Sequence, residues 1–433
     1  VLPVLADPVR GGSVAVVDGR VAAVGPREDL ARSHGALPEV DLGDAVLAPG
    51  LVDAHCHLEW ALLGGLLPPA PFHEWLSSML ALRGRVGPET ARTAARLGAL
   101  RCLEHGTTTV VDSGPLGAGV AALSEVGLRG LVLLEVTGRE RGAEAAERAA
   151  RVADEVAALR DAAGPRVRVG VGPHAPYSVG PELWRALGAE RRLGTAPTGC
   201  HLAESRAEHT LIASGGGPLA LLFAAAGIEP AAWPGPPGES PAARLARAGG
   251  LRPGMLAAHC VHLAPGDAAL LGEHDVRPVL CPTSNARLAC GAAPVERMLR
   301  GGCRPALGTD SPASAGPFDM RAEARALALS QGAAGNPIAA ADLLRMATAD
   351  GADALGFGDL GRLTPGARAD MVAVGIPPEA APGDPAEAFL HPLGRVVVVA
   401  VEGRALVWEG HVVDASHRGA VEAAAAEARA GLC

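Results

Sequence analysis

The sequence predicts an α/β fold: a parallel (β/α)8 TIM barrel with a small composite β-sandwich built from both chain termini. Three observations carry this. Eight short apolar runs alternate with Ala/Arg/Glu/Leu-rich helical stretches through the middle of the chain. The two ends carry β-branched strands and tight turns, and histidines and acids cluster where the apolar runs finish.

At the start, Ser13–Val17 and Arg20–Val24 flank Asp18-Gly19, a hairpin signal. The eight runs follow at 51–55, 107–111, 130–136, 166–171, 198–202, 255–259, 277–281 and 305–309. Between most of them lie helical stretches such as Pro88–Glu104, Ala143–Ala163 and Ala339–Leu355. A doubly wound open sheet is the alternative, but no Gly-x-Gly-x-x-Gly follows a first strand. The Pro/Gly-rich piece Glu229–Pro241 reads as a long loop over the barrel mouth. Strands return at Asp370–Val374, Arg395–Val401 and Arg404–Trp408, and Ala420–Ala430 reads as a terminal helix. The expected division is 1–48 for one part of the sandwich, 49–360 for the barrel, and 361–433 for the rest of the sandwich plus the helix.

Composition narrows the function classes. With 433 residues and 48% of them hydrophobic, the chain can bury a large core. A net charge of −9 offers no basic footprint for nucleic acid. No stretch approaches the roughly 18 uninterrupted apolar residues of a membrane helix, and the first residues lack a charged region followed by an apolar core. Eight scattered cysteines without a Cys-x-x-Cys predict reduced, buried thiols in a cytoplasmic protein. The chain has no lysine; every cation other than histidine is arginine.

The chemistry gathers first at Leu51-Val-Asp-Ala-His-Cys-His57. Side chains alternate along a strand, so His55 and His57 share a face and can grip one divalent metal, while Cys56 points away. Further along, His174 follows the fourth run, His201 closes the fifth with Glu204 three residues on, His259 closes the sixth, and Asp310 closes the eighth. Barrel active sites lie at the C-terminal rim, with side chains drawn from several strands. Five strands thus deliver ligand-type or acid–base residues to one rim.

These pieces resemble the amidohydrolase superfamily, within it the aminohydrolase and chlorohydrolase branch. The resemblance rests on Pro49–His57, Gly172–Tyr177, His201–Glu204, Ala258–Leu263, Cys281–Asn285 and Gly308–Asp310, in the family's order. It implies that His55, His57, His201 and Asp310 hold one metal, Zn2+ or Fe2+, which activates water. It also implies that Asp310 takes the water proton, His259 orients the attacking oxygen, Glu204 protonates the ring nitrogen beside the attacked carbon, and His174 contacts the substrate. Superfamily members with two metals commonly bridge them through a carboxylated lysine. Without lysine, this chain is expected to be mononuclear.

Asn285 and Arg287, at the rim after the seventh run, either bind substrate or cap a loop; Glu59 either accepts a ribose hydroxyl or serves a loop. The segments Leu58–Gly65, Pro71–Leu76, Ser214–Leu219 and Cys281–Gly291 look like the branch that deaminates 6-amino-6-deoxyfutalosine on a route to menaquinone. The benzoate of that compound calls for an arginine, with Arg83, Arg85 and Arg287 available. Deamination of adenosylhomocysteine, methylthioadenosine or adenosine is the alternative, and triazine-type hydrolysis a third. A non-catalytic scaffold is disfavoured because all four ligand positions are kept. The partner expected is a small-molecule substrate, and family relatives are often homodimers.

Overall fold

The computed structural model describes residues 1–228, 235–380 and 383–432. At the N-terminus β1 (Gly12–Val17) and β2 (Arg20–Pro26) form an antiparallel hairpin. Its turn places Asp18 at φ 48° and Gly19 at φ 74°, the left-handed pair that the Asp-Gly sequence favours. A strand ahead of the barrel, β3 (Ala45–Pro49), leads directly into it.

The barrel strands are β4 (Leu51–Cys56), β5 (Thr107–Gly114), β6 (Arg129–Val136), β7 (Val167–Pro173), β8 (Gly199–Leu202), β9 (Leu256–His259), β10 (Arg277–Leu280) and β11 (Ala306–Leu307). All eight predicted runs are strands. They pair in parallel as β4-β5-β6-β7 and β8-β9-β10-β11. The bridge Val171–Thr198 joins the two sets, and the bridge Cys56–Asp310 closes the ring. Helices cover the outer face, so strands such as β4 and β5 are buried along their whole length, which is why they read as continuous apolar runs. Inside, Val52, Ala54, Val111, Leu131, Leu133, Leu256, Val279 and Ala306 fill the lower barrel, closed below by Ala352 and Leu355.

After the barrel come β12 (Met371–Gly375), β13 (Arg395–Val401), β14 (Arg404–Trp408) and β15 (His411–Val412). They form one antiparallel sheet of order β15-β14-β13-β12-β3, so a strand from before the barrel completes a sheet made after it. Buried Arg129, at the start of β6, ties this sheet to the barrel through Asp370 at 3.2 Å and Glu402 at 3.1 Å.

Three local expectations shift. The terminal helix begins at Ala415, because the Asp414 side chain accepts the His417 N–H and caps it. It lies on the barrel helix Pro88–Glu104, with Arg418 on Glu104 at 2.8 Å. The stretch predicted as one helix over Ala339–Leu355 is two, Ala340–Met346 and Ala349–Ala354. The Ala347 carbonyl between them accepts the Val52 N–H of β4, and Thr348 leaves helical geometry at φ −137°, ψ −90°. Of the segment Glu229–Pro241, residues 229–234 lie outside the described residues, and Pro241 opens a helix, Pro241–Arg247. Among the described residues no helix is long and apolar enough to cross a membrane.

Candidate metal centre and active site

The His-x-His pair owes its direction to an irregularity. Val52 and Ala54 face the barrel interior, which by strict alternation would send His55 outward. The register of β4 against β5 slips between Asp53 and Cys56. Beyond the slip His55 lines the cavity, its ring centroid 4.9 Å from that of His57, while Cys56 packs outside with Cys102. Asp53, buried at the slip, accepts the Thr309 N–H and hydroxyl and the His55 N–H, locking β4 to the chain leading into Asp310.

The ligand atoms of His55, His57 and His201 lie within 4.8 Å of one another. The rings of His57 and His201 are parallel, and their Nε2 atoms are 3.1 Å apart. Each Nδ1 donates to a backbone carbonyl, His57 to Ser113 at 2.7 Å and His201 to His174 at 3.0 Å. That places the proton on Nδ1 in both rings, so two bare lone pairs face each other. Buried His55 Nε2 likewise has no hydrogen-bond partner. Burial, then neighbouring histidines, holds His55 and His201 well below the usual imidazole range, so both are neutral donors. Three converging lone pairs with no proton between them are the donor set a divalent cation fits. Asp310 Oδ1 stands 3.5 Å from His57 Nε2, and its Oδ2 accepts the Ser314 hydroxyl at 2.8 Å.

Beside this cluster His259 Nε2 is buried, unpartnered and 3.7 Å from Glu204 Oε1. His259 Nδ1 donates to Asn285 Oδ1 at 3.0 Å, which turns the Nε2 lone pair to the cavity. Burial lowers the His259 pKa. Burial, with Asp310 and Glu208 nearby, raises Glu204 well above the carboxylate range, which favours its protonated form. The backbone here is strained: Ala203, His259 and Asp310 have φ of 51°, 72° and 61°. Non-glycine residues rarely occupy this region, and such strain clusters at functional sites.

The remaining candidates separate. The His174 ring is 4.7 Å from His201 and its Nδ1 pairs with the Ser178 hydroxyl at 2.7 Å. Glu59 is buried with its carboxylate on the N–H groups of Leu116 and Ala118, at 3.1 and 3.0 Å. Arg287 ends the helix Pro282–Arg287 that carries Asn285, and its Nε is buried without a hydrogen-bond partner. Arg83 lies over the Trp60 ring with its charge bearing on His174, whereas Arg85 is exposed.

Sequence reasoning passed over Asp53, Glu135, Glu208 and Ser314. Glu208 had a signal, since Ser205-x-x-Glu208 is a helix-start pattern and Ser205 does cap the helix. Its carboxylate reaches back to the N–H groups of Ala203 and Glu204, at 3.2 and 2.7 Å. The seven described cysteines are free and buried.

The Amidohydrolase family profile matches residues 46–406. A 5-methylthioadenosine/S-adenosylhomocysteine deaminase from Moorella thermoacetica is 33% identical over 428 residues, covering 95% of this chain and 93% of its own. An adenosine deaminase from Xanthomonas campestris, solved with bound zinc, superposes with a TM-score of 0.83 at 28% identity, across 99% of this chain and 96% of its own. Helicobacter pylori aminofutalosine deaminase, solved with methylthio-coformycin, shares the fold at a TM-score of 0.80 and 20% identity, covering 92% and 96%. The family profile spans the whole barrel and reaches into the sheet strands on both sides of it, and the likeness to relatives runs nearly end to end. The chain belongs to the amidohydrolase family, and it is a hydrolytic deaminase of that family.

Proposed function

We propose that this enzyme removes the 6-amino group of an adenine nucleoside carrying a 5′ substituent, using one Zn2+ or Fe2+ held by His55, His57, His201 and Asp310. The observation that carries the reading is the pair Glu204 and His259. A buried carboxyl whose protonated form is favoured stands 3.7 Å from a buried imidazole whose neutral form is favoured and whose Nε2 has no hydrogen-bond partner, beside the histidine cluster. A cation bound there supplies the Lewis acidity that makes water a usable nucleophile near neutral pH.

The chain's own groups do the rest. Asp310 accepts a proton from the attacking water, and the Ser314 hydroxyl on Oδ2 leaves Oδ1 for that task. His259 accepts the water's other hydrogen through Nε2, with Asn285 holding the ring in the required tautomer. Glu204 gives its proton to the ring nitrogen adjacent to the carbon under attack, so negative charge does not build up on the purine. The carbon–nitrogen bond then breaks. The proton on Asp310 passes to the departing amine, the hydrogen left on the new C6 hydroxyl passes by way of His259 to Glu204 as the carbonyl forms, and the products are the 6-oxo purine nucleoside and ammonia.

Deaminases of methylthioadenosine and adenosylhomocysteine at 33% identity support the adenine nucleoside. A second reading places 6-amino-6-deoxyfutalosine in the site. It needs an arginine for the benzoate, and the candidate is Arg287, on the helix that carries Asn285 and with a buried Nε that has no hydrogen-bond partner. Metal-loaded protein offered methylthioadenosine, adenosylhomocysteine, adenosine and aminodeoxyfutalosine should release ammonia and shift the adenine absorbance to that of hypoxanthine. Strong preference for the last selects the second reading. Metal-loaded protein that turns over none of the four would remove the adenine assignment.

A further inference from the structure

The groups that carry the chemistry are closed in. His55, His57, His201, Glu204, His259 and Asp310 are each at most 7% exposed. On the same rim sits an apolar cluster separate from the barrel core, with Phe72, Tyr177, Leu219, Phe223 and Leu288 among its members. These come from segments that follow the first, fourth, fifth and seventh barrel strands. The Tyr177 ring is 5.7 Å from that of His174, itself 4.7 Å from His201, and the rings of Phe72 and Phe223 stand 6.5 and 6.1 Å from Tyr177. Close-packed side chains leave few voids larger than a water molecule, so an organic substrate enters only when part of this roof moves.

Most pieces of the roof are pinned by polar side chains. The helix Phe72–Arg83 is held where Trp75 Nε1 donates to the Ala313 carbonyl at 3.0 Å. The Tyr177 carbonyl accepts from Arg139 at 3.1 Å, and the helix Pro282–Arg287 is held by Glu323 on the Thr283 N–H at 3.0 Å. The helix Pro218–Ala225 differs. Its sequence, Pro-Leu-Ala-Leu-Leu-Phe-Ala-Ala, has no hydrogen-bonding side chain, so Leu219, Ala220 and Phe223 hold it by packing, with the Arg139 guanidinium 5.6 Å from the Phe223 ring centre. Its other face is open, with Leu221 75% exposed. Glycines bracket it. Gly215-Gly-Gly217 precedes it with φ of 71° at Gly215 and 87° at Gly217, and Gly227 follows at φ 73°. Such residues turn through more of backbone space than any other type.

We infer that the helix Pro218–Ala225 is the gate of the active site. It swings on Gly215–Gly217 and Gly227, lifts Phe223 and Leu219 off Phe72 and Tyr177, and so opens the roof for substrate entry and product release. Apolar contact suits a part that must let go, because it has no directional bond to break and re-form. Glycines at both ends absorb the change in backbone angles that a hinge requires. The inference rests on the histidine cluster being the reaction centre, whichever nucleoside it takes.

The test needs no substrate, so its failure is separate from that of the nucleoside reading. Wild type, Gly216→Ala and Phe223→Ala, each loaded with Zn2+, are mixed with excess EDTA and metal release is timed. Hydrogen exchange of the helix Pro218–Ala225 and melting temperature are followed in parallel. A Cβ at Gly216, whose φ is not left-handed, meets nothing nearer than Ser214 Oγ at 3.4 Å, so alanine fits the closed form. By restricting the hinge it should slow release about 2- to 5-fold. Phe223→Ala, which removes the roof contact, should speed release about 10- to 100-fold, with Phe223→Leu between it and wild type. Exchange within Pro218–Ala225 should change by the same factors, while the helices Phe72–Arg83 and Pro282–Arg287 keep their wild-type rates. Equal release from all the proteins overturns the inference. So does release that follows melting temperature while exchange in Pro218–Ala225 stays unchanged. A wild type that retains no Zn2+ overturns the metal reading instead, and the exchange comparison then decides the gate by itself.

Discussion

His57 and His201 present their Nε2 atoms to each other at 3.1 Å with ring planes parallel to within 1°. Both rings carry their proton on the far nitrogen, so the contact is repulsive until a cation lies between them. His57→Ala and His201→Ala should therefore lose bound metal, as read by elemental analysis, with activity at background. In wild type a chelator should lower the melting temperature and added Zn2+ or Fe2+ should restore it, because a ligand bound only by the folded state stabilises it. Full metal occupancy in either variant would sink this account.

The contact between His259 and Asn285 sets which nitrogen of the imidazole faces the histidine cluster and Glu204. Asn285→Ala should leave metal content unchanged and reduce kcat by roughly 10- to 100-fold, the usual cost of removing a partner that orients a functional histidine. KM should move little. Unchanged kcat would show that the tautomer is set some other way.

Glu208 holds the strained Ala203–Glu204 backbone through two N–H groups. Leaving both unsatisfied in Glu208→Ala should cost about 1–3 kcal/mol in chemical denaturation. It should also depress kcat more than the stability loss accounts for, since Glu204 is released. Glu208→Gln, which keeps an acceptor oxygen, should recover most of both. Equal behaviour of the two variants would contradict a positioning role.

Burial raises the Glu323 carboxyl from 4.5 to about 8, against hydrogen bonds from Thr283 that pull it down. The folded protein thus holds a proton between those values that the unfolded chain releases. Its contribution to stability is complete below about pH 4.5 and is lost as pH rises through about 8. Melting temperatures across this window should fall more steeply for wild type than for Glu323→Gln, with the variant gaining most at the alkaline end. Parallel curves would refute the assignment.

Gly308 lies against β4 beside His55 of the histidine cluster. A Cβ there would stand 2.6 Å from the His55 carbonyl oxygen and 2.9 Å from its Cβ. Neither backbone can yield cheaply, so Gly308→Ala should destabilise by about 1–3 kcal/mol and lower metal occupancy. A variant with full stability and full occupancy would mean that the β11 approach to β4 is looser than these distances imply.

Much of the architecture is legible in the amino-acid sequence. The eight strands, the hairpins and the composite sheet follow from local signals, because strand alternation, helical composition and Asp-Gly turns act over a few residues. The histidines and acids are legible for a different reason. A parallel barrel brings every strand's C-terminal end to one rim, so residues far apart in sequence become neighbours once the strand count is right.

The sequence alone therefore determined the fold class, the rim, the lack of any lysine and the residue types available for chemistry. The tertiary structure decided which atoms are free. The slip in β4 that turns His55 inward arises between strands, as do the tautomers set by Ser113, His174 and Asn285. So does the placing of Glu59, whose carboxylate is held by the N–H groups of Leu116 and Ala118. Residue identity states which donors and acceptors exist. Which of them remain unsatisfied depends on partners dozens to hundreds of residues away, and those meet only when the barrel closes.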